Sequence, residues 1–192
     1  MMNEEKLNKI NEVASLRCSA ALSKLINRKI EVVFSQPVIT NVKEIPSLIG
    51  SQEIGAGVYL PISGGALGSA LFLFPKQTAF NLCDLTMKKE FRTTQELASP
   101  DEALLKEMGN ILLGNYLAIL SNTLKTEITE GIPHFSFGVF GAMLEEVITN
   151  LAKDAPEALV VKIEFIFKAK NIKGRLLLIF KSEGIEALLN AL

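Results

Sequence analysis

The sequence has few of the residues from which metal centres and disulfide frameworks are built. It has no tryptophan, one histidine (His134) and two cysteines, Cys18 and Cys83. No cluster of His, Cys, Asp and Glu has metal-ligand spacing, and a lone histidine after a proline is more typical of a loop than of a catalytic base. Both cysteines fall in helix-like contexts, so we expect buried free thiols, no metal site on this chain and a cytoplasmic location.

Charge and hydropathy argue against two further classes of protein. The formal net charge is −1 and the pI is about 6.0, so composition does not support binding to nucleic acid. Hydrophobic residues make up 48% and the mean hydropathy is +0.30, which favours a well-filled core. No apolar run reaches the ~18 residues that a membrane span requires. The stretch from Met1 to Lys9 lacks the apolar centre of a secretory signal.

The apolar pattern divides the chain into two similar halves, about residues 1–90 and 99–192, which we interpret as a single domain. Each half begins with a long helix, continues with strands and ends with a helix. Residues 66–74 of the first half line up with residues 172–180 of the second. Helices followed by strands with short turns predict an α+β fold, an antiparallel sheet backed by long helices. The repeat suggests a pseudo-two-fold axis between the halves.

The element boundaries follow from periodicity and from turn residues. Helical spacing predicts helices over 4–27, 76–87, 100–124 and 141–151, and a last one carrying Ile185, Leu188 and Leu189. Alternation predicts strands over 30–34, 58–62, 67–74, 135–139, 161–167 and 175–180. We expect the remaining segments to be a polar loop through Gln52, a charged linker over 88–98 and a turn over 171–174.

The helix after the linker has the most specific start in the chain. Ser99 is placed to cap it, Pro100 suits the first helical position, and Glu102 completes a Ser-x-x-Glu capping box. Its buried face is predicted from Leu104, Leu105, Met108, Leu112, Ile119 and Leu120. Another face carries, at spacings of four, three and four, Ala103, Glu107, Asn110 and Gly114.

Glu107 and Asn110 are the best candidates for chemistry, because no phosphate-binding loop or nucleophile–base arrangement occurs elsewhere. The plainer alternative is a solvated helix face, on which polar pairs are common. Gly109 and Gly114 flank Asn110, and each costs a helix about 1 kcal/mol relative to alanine. Either another backbone or a partner comes close there, or the helix packs tightly within the fold.

At this helix the sequence resembles the CheC/CheX/FliY family of chemotaxis phosphatases, which act on the phosphorylated response regulator CheY. The family signature is Glu-x-x-Asn on a long helix with a proline further along the chain, and Glu107, Asn110 and Pro133 fit it. The segments 140–147 and 157–161 also resemble CheC. The resemblance is strong over residues 99–192 and weak over 4–75. It implies a CheC-like fold in which Glu107 and Asn110 are catalytic and Pro133 and Gly114 are binding residues.

The sequence departs from the family pattern in two places. The position four residues before the glutamate is often Asp or Ser in the family, and here it is Ala103. Family members usually carry the signature in each half, but alignment through Ala21-Leu22-Ser23 puts Lys9 and Glu12 at the two signature positions of the first helix. Because an ionised Glu12 cannot donate an amide hydrogen bond and Lys9 reverses the charge, we expect the first site to be lost, although Pro37 is retained.

The resemblance implies that the substrate is the aspartyl phosphate of a CheY-type response regulator. The regulator would bring Mg²⁺ and a lysine that neutralise the phosphoryl oxygens, so this chain would need no cofactor of its own. What remains is to hold a water in line with the departing carboxylate, which an Asn110 amide can do. The resemblance also implies that Glu107 pairs with the regulator's lysine.

Two other interpretations stay open. The same fold can serve as a non-catalytic interaction module that binds a response regulator, the receptor deamidase CheD or a flagellar switch component. Ala103 and the lost first site favour that alternative. The third is a regulator of some response regulator outside chemotaxis. The intact Glu107/Asn110 pair favours the phosphatase, because a pure binding module has no chemical need for both side chains.

Overall fold

The computed structural model describes residues 4–36, 38–65, 67–151, 157–167 and 170–180. The helices are α1 (Glu4–Ile26), α2 (Ile45–Ile49), α3 (Lys76–Thr86), α4 (Ser99–Leu124) and α5 (Phe140–Leu151). The strands are β1 (Glu31–Phe34), β2 (Val38–Asn41), β3 (Ile54–Gly64), β4 (Gly68–Pro75), β5 (Ile128–Glu130), β6 (His134–Val139), β7 (Glu157–Phe167) and β8 (Lys170–Phe180). The predicted last helix around Ile185 lies outside the described residues, and so does Pro37, the proline that the first half retains.

The eight strands form one antiparallel sheet, which confirms the predicted α+β class. The strand order is β1-β7-β8-β4-β3-β5, with β2 also paired to β7 and β6 also paired to β3. The long hairpins β3–β4 and β7–β8 meet at the β4–β8 pair in the middle of the sheet. Each hairpin is completed at its outer edge by the two short strands of the other half, so the two halves are interleaved in one sheet.

The strand register agrees with the sequence repeat. The alignment of the two halves matches Leu71 with Leu177, and these two residues are paired directly across β4 and β8. A two-fold axis through that pair exchanges the β3–β4 and β7–β8 hairpins. The same rotation exchanges the short strands β5 and β6, which pair with β3, and β1 and β2, which pair with β7. The pseudo-two-fold relation inferred from the repeat is therefore visible in the pairing of the strands.

Helices cover both faces of the sheet. On one face α1, α3 and α4 pack over a large apolar cluster that includes Leu22, Phe72 and Leu112. On the other face α2 and α5 pack over a smaller cluster that includes Ile45, Leu73 and Phe140. The extended β-branched and aromatic segments bury both sides, as expected of a sheet between two helical layers.

Two predicted connections are wrong. The polar loop through Gln52 contains β2, a turn of 3-10 helix (Val42–Glu44) and α2. Pairing of β2 with the distant β7 and burial of Val42, Ile45 and Ile49 order this segment. The predicted turn over 171–174 lies inside β8, where Ile172 is buried and Lys173 pairs with Glu164 of β7. Cross-strand pairing overrode the local turn preference of Asn171 and Gly174.

The linker before α4 is irregular, as predicted, and a buried carboxylate fixes it. Asp84 near the end of α3 accepts hydrogen bonds from the amide N–H groups of Thr93 and Thr94 and from the Thr94 hydroxyl, at 3.0, 2.9 and 2.6 Å. Because Asp84 is fully buried, these three donors replace the water that its carboxylate loses. The linker thereby holds the start of α4 against the end of α3.

Candidate active site

The start of α4 is capped by a residue that the sequence pattern did not single out. Ala98, not Ser99, precedes the first helical residue. Asp101 Oδ2 accepts a hydrogen bond of 2.9 Å from the amide of Ala98, and Asp101 is 5% exposed. The predicted capping box of Ser99 and Glu102 is therefore wrong, because the corresponding positions are one residue earlier, at Ala98 and Asp101. Alanine has no side-chain acceptor, so only the hydrogen bond to the Asp101 carboxylate is formed.

The inner face of α4 fixes the helix in the core. Leu105, Met108, Leu112 and Leu120 of the predicted face are buried, as is Tyr116. Gly109 lets the helix approach the sheet, because a Cβ at that position would lie 2.9 Å from Cγ1 of Val58 on β3. Tight packing within the fold thus accounts for Gly109.

The opposite face of α4 presents the predicted pair. Ala103 and Glu107 are exposed, and Asn110 and Gly114 are half-buried, so the four residues form one accessible stripe. Among the described residues, neither the Glu107 carboxylate nor the Asn110 carboxamide has a hydrogen-bond or ion-pair partner. These groups are free to bind a water, a partner or both.

Pro133 lies in the segment that joins β5 to β6. The segment leaves β5 at Glu130, where a Cβ on Gly114 would be 2.7 Å from Glu130 Oε1. It enters β6 at His134, and the next residue, Phe135, pairs with Val58, the residue that Gly109 touches. Pro133 therefore lies between Glu130, which meets α4 at Gly114, and Phe135, which pairs with the β3 residue that Gly109 packs against. Next to it, Ile132 is 78% exposed.

His134 faces away from α4. Its ring lies 6.1 Å, centroid to centroid, from that of Tyr59, and both rings line a cleft with Met143 and Glu146 of α5 on the other side of the sheet. His134 therefore does not share the accessible stripe of α4. No group of three His, Cys, Asp or Glu side chains within the described ranges is arranged to hold a metal ion.

The first half carries different side chains at the equivalent helix positions. The alignment through Ser23 is supported by a shared contact, because Ser23 and Ser121 each accept a hydrogen bond from the amide seven residues later, at Ile30 and Ile128. Lys9 and Glu12 then occupy the positions of Glu107 and Asn110, and both are exposed. The surface of α1 therefore lacks an amide where α4 has one.

One site residue was missed by the sequence analysis. Glu130 is half-buried, and its carboxylate rests against the backbone of α4 at Gly114, one turn beyond Asn110. Only the pairing of β5 with β3, in which Glu130 faces Ile62, brings it there. Glu130 precedes Pro133 by three residues, but this spacing alone is too weak a signal to identify Glu130 as a site residue.

Both cysteines are buried free thiols, as predicted. The Cys18 thiol donates to the carbonyl oxygen of Leu112 on α4, with a distance of 3.6 Å between the heavy atoms. Burial raises the pKa of Cys18 to about 12. Burial and the nearby carboxylates of Asp101 and Asp84 raise the pKa of Cys83 to about 12. Each thiol is therefore kept neutral by the fold.

The raised pKa values lead to an expectation for thiol chemistry. Near pH 8 neither thiol should react with 5,5′-dithiobis(2-nitrobenzoate) in the folded protein, and both should react in guanidinium chloride. Because the pKa in the folded state lies above the unfolded value of 9.0, the thiols should add no pH dependence below that value and should lower stability as pH rises toward 12. Rapid reaction of one thiol in the native protein would contradict its burial.

The interleaved antiparallel sheet with helices on both faces is a CheC-like fold, and solved structures confirm it. FliY of Thermotoga maritima superposes with a TM-score of 0.78 at 17% identity, covering 98% of this chain and 94% of that one. A chain of the CheX–CheY–BeF3–Mg²⁺ complex from Borrelia burgdorferi superposes with a TM-score of 0.56 at 16% identity, covering 92% and 98%.

Sequence comparison leads to a particular relative. The chain is 24% identical over 200 residues to the CheY-P phosphatase CheC of Bacillus subtilis (strain 168), an alignment that takes in 100% of this chain and 95% of CheC. No family model matches the sequence. The resemblance stated from the residues is nevertheless confirmed, since the chain resembles CheC along its whole length. No helix in the described part of the chain is long and apolar enough to cross a membrane.

Proposed function

We propose that this protein is a phosphatase for the aspartyl phosphate of a CheY-type response regulator. The observation that carries the proposal is the accessible Asn110 amide, which has no hydrogen-bond partner among the described residues and lies one turn from the equally free Glu107 carboxylate. An amide that served the fold would be bonded within it. Similarity to a CheY-P phosphatase over the full chain supports the same reaction.

The proposed chemistry is orientation of a water molecule. Hydrolysis of an acyl phosphate needs a water in line with the departing carboxylate, and phosphoryl transfer depends mainly on position and charge stabilisation. The Asn110 amide can both donate to and accept from that water. The backbone of Asn110 is part of α4, and the inner face of that helix is buried, so docking would place the water at a fixed position. No covalent intermediate on this chain is required.

Charge neutralisation is assigned to the regulator. Mg²⁺ and a lysine at the regulator's phosphorylation site would balance the phosphoryl oxygens, and Glu107 would pair with that lysine to fix the docking register. Asn110 and Glu107 then have separate tasks, one for the water and one for the partner.

A panel of CheY-type receiver domains tests this function. Each receiver is phosphorylated with a small phosphodonor, freed of excess donor, and mixed with a substoichiometric amount of the protein. We expect at least one receiver to lose its aspartyl phosphate faster than alone, with several turnovers per molecule of protein. Binding of a receiver without any acceleration would instead identify an interaction module.

Reversal of the charge at Glu107 should weaken docking. We expect Glu107→Lys to raise the Kd for a phosphorylated or BeF3⁻-activated receiver by about tenfold or more, because like charges would then face each other. Glu145→Lys is the matched control, since Glu145 is exposed on α5 across the sheet. Equal effects of the two substitutions on the Kd would show that only net charge matters and would contradict the assigned contact.

The second candidate function is a binding module, which one observation favours. Leu16 on α1 is 74% exposed. It lies four residues after Glu12, as Gly114 lies four residues after Asn110, so Leu16 is the first-half counterpart of Gly114. An exposed leucine on the half without the signature is suited to a protein contact. The two functions are compatible, because they use different helices.

A further inference from the structure

A glycine makes room for a second carboxylate beside Asn110. A Cβ on Gly114 would lie 2.7 Å from Glu130 Oε1 and 3.4 Å from its Cδ, so the carboxylate occupies the space that a side chain would fill. Within the described part of the chain Glu130 makes no hydrogen bond or ion pair. A half-buried carboxylate without a partner is unfavourable in the free protein, and a cation would relieve it.

We propose that Glu130 is a specificity-determining residue of this site, whose carboxylate binds a cationic side chain of the docked response regulator. The inference rests on the proposed function, because it assumes that a regulator docks against α4. Glu107 and Glu130 flank Asn110 on the two sides along the helix, about one turn away each. A regulator would need cations at a matching spacing, so Glu130 sets affinity and choice of partner, while Asn110 acts on the water.

The comparison of the two halves supports this assignment. The two-fold relation through Leu71 and Leu177 matches Ile62 of β3 with Ile163 of β7, and these two residues face Glu130 at the end of β5 and Phe34 at the end of β1. The first half therefore has buried Phe34 in place of Glu130 and exposed Leu16 in place of Gly114. The glycine and the carboxylate are absent from the half that also lacks the Glu/Asn pair, which is expected if all four residues serve one site.

Binding of a BeF3⁻-activated receiver domain with Mg²⁺ tests the proposal. Glu130→Gln removes the charge but keeps the shape, and we expect it to raise the Kd by about fivefold and to weaken the salt dependence of binding. At saturating protein the rate of dephosphorylation should not change. Glu127→Gln is the control, because Glu127 is exposed in the same segment and its substitution makes the same change in charge. A Kd for Glu130→Gln equal to that of the control overturns the proposal.

Gly114→Ala provides an independent test. Its Cβ would displace the Glu130 carboxylate without removing it, so we expect a similar rise in Kd and no further rise when Glu130→Gln is added. If the effects of the two substitutions on the binding free energy add instead, Gly114→Ala does not act through Glu130, and Gly114 contacts the partner itself.

The failures of the two proposals are distinguishable. Binding by the wild type without hydrolysis removes the phosphatase function, while a fivefold effect of Glu130→Gln on that binding still supports the role of Glu130. Hydrolysis by the wild type with no effect of Glu130→Gln on Kd leaves the phosphatase and overturns Glu130. Absence of binding to every receiver in the panel overturns both.

Discussion

Replacement of Asn110 by alanine is expected to lower the rate of receiver dephosphorylation by about 100-fold or more, to the receiver's own rate. The substitution removes the amide that would hold the attacking water and leaves in place the Glu107 carboxylate, which we propose for docking. Stability should not fall, because the side chain is accessible and alanine is a better helix former than asparagine. Phosphate loss and the melting temperature measure the two effects separately.

Asn122→Ala is the matched control for this substitution. Asn122 is exposed near the end of the same helix, and its removal makes the same chemical change away from the proposed site. We expect wild-type activity from this variant. If Asn110→Ala unfolds at a clearly lower temperature than Asn122→Ala, the Asn110 side chain is structural and its assignment as the water-holding group is wrong.

The largest loss of stability on α4 is expected from Gly109→Val. A Cβ at this position would lie 2.9 Å from Val58 Cγ1 and 3.5 Å from Phe72 Cδ2, and neither neighbour can leave because both are fully buried. We expect a loss of about 3 kcal/mol in the free energy of unfolding, with a fall in melting temperature of roughly 10 °C. Thermal and urea unfolding measure this directly.

Gly114→Val is the control for Gly109→Val. The atom that a Cβ would meet there is the tip of the flexible, half-buried Glu130 side chain. The Glu130 side chain can move aside, and valine has a higher helix propensity than glycine. We therefore expect the change in unfolding free energy to stay within about 1 kcal/mol. Equal destabilisation by both substitutions would contradict the assignment of Gly109 to the packed face and Gly114 to the accessible face.

Periodicity predicted most of the long elements. The apolar spacing that places Leu105, Met108 and Leu112 on one face of α4 also predicts its accessible face, since the two faces follow from a single helical repeat. The alternation of Val161, Ile163 and Phe165 likewise marks the side of β7 that faces the large apolar cluster. The sequence repeat predicted a two-fold relation between the halves, and the register agrees with it because Leu71 and Leu177, which the repeat matches, are paired across β4 and β8.

Elements that depend on distant partners were not predictable in this way. The four residues of β2 and the three of β5 are too short to show a period, and each is a strand because β7 or β3 pairs with it. Asn171 and Gly174 have turn chemistry but lie in β8, where β7 pairs with both residues. Local preference is weak when pairing with a neighbouring strand competes with it.

Spacing predicted only the part of the candidate site that lies on α4, and Pro133 was predicted from the family resemblance alone. Glu107 and Asn110 follow from spacing on α4 and from the resemblance to CheC. Glu130 comes from another strand, and only the glycine that accepts its carboxylate connects it to the helix. The cap at Asp101 differs for a related reason, since the linker held by the buried Asp84 leads into the start of α4.

The most direct test of the central claim is single-turnover dephosphorylation of a responsive receiver at saturating protein. Saturation removes differences in affinity, so the remaining rate reports the step in which water attacks the phosphorus. We expect the wild type to be fast and Asn110→Ala to stay at the receiver's own rate however much of it is added. If Asn110→Ala reaches the wild-type rate at saturation, Asn110 contributes only to docking, and the positioning of water by α4 is contradicted.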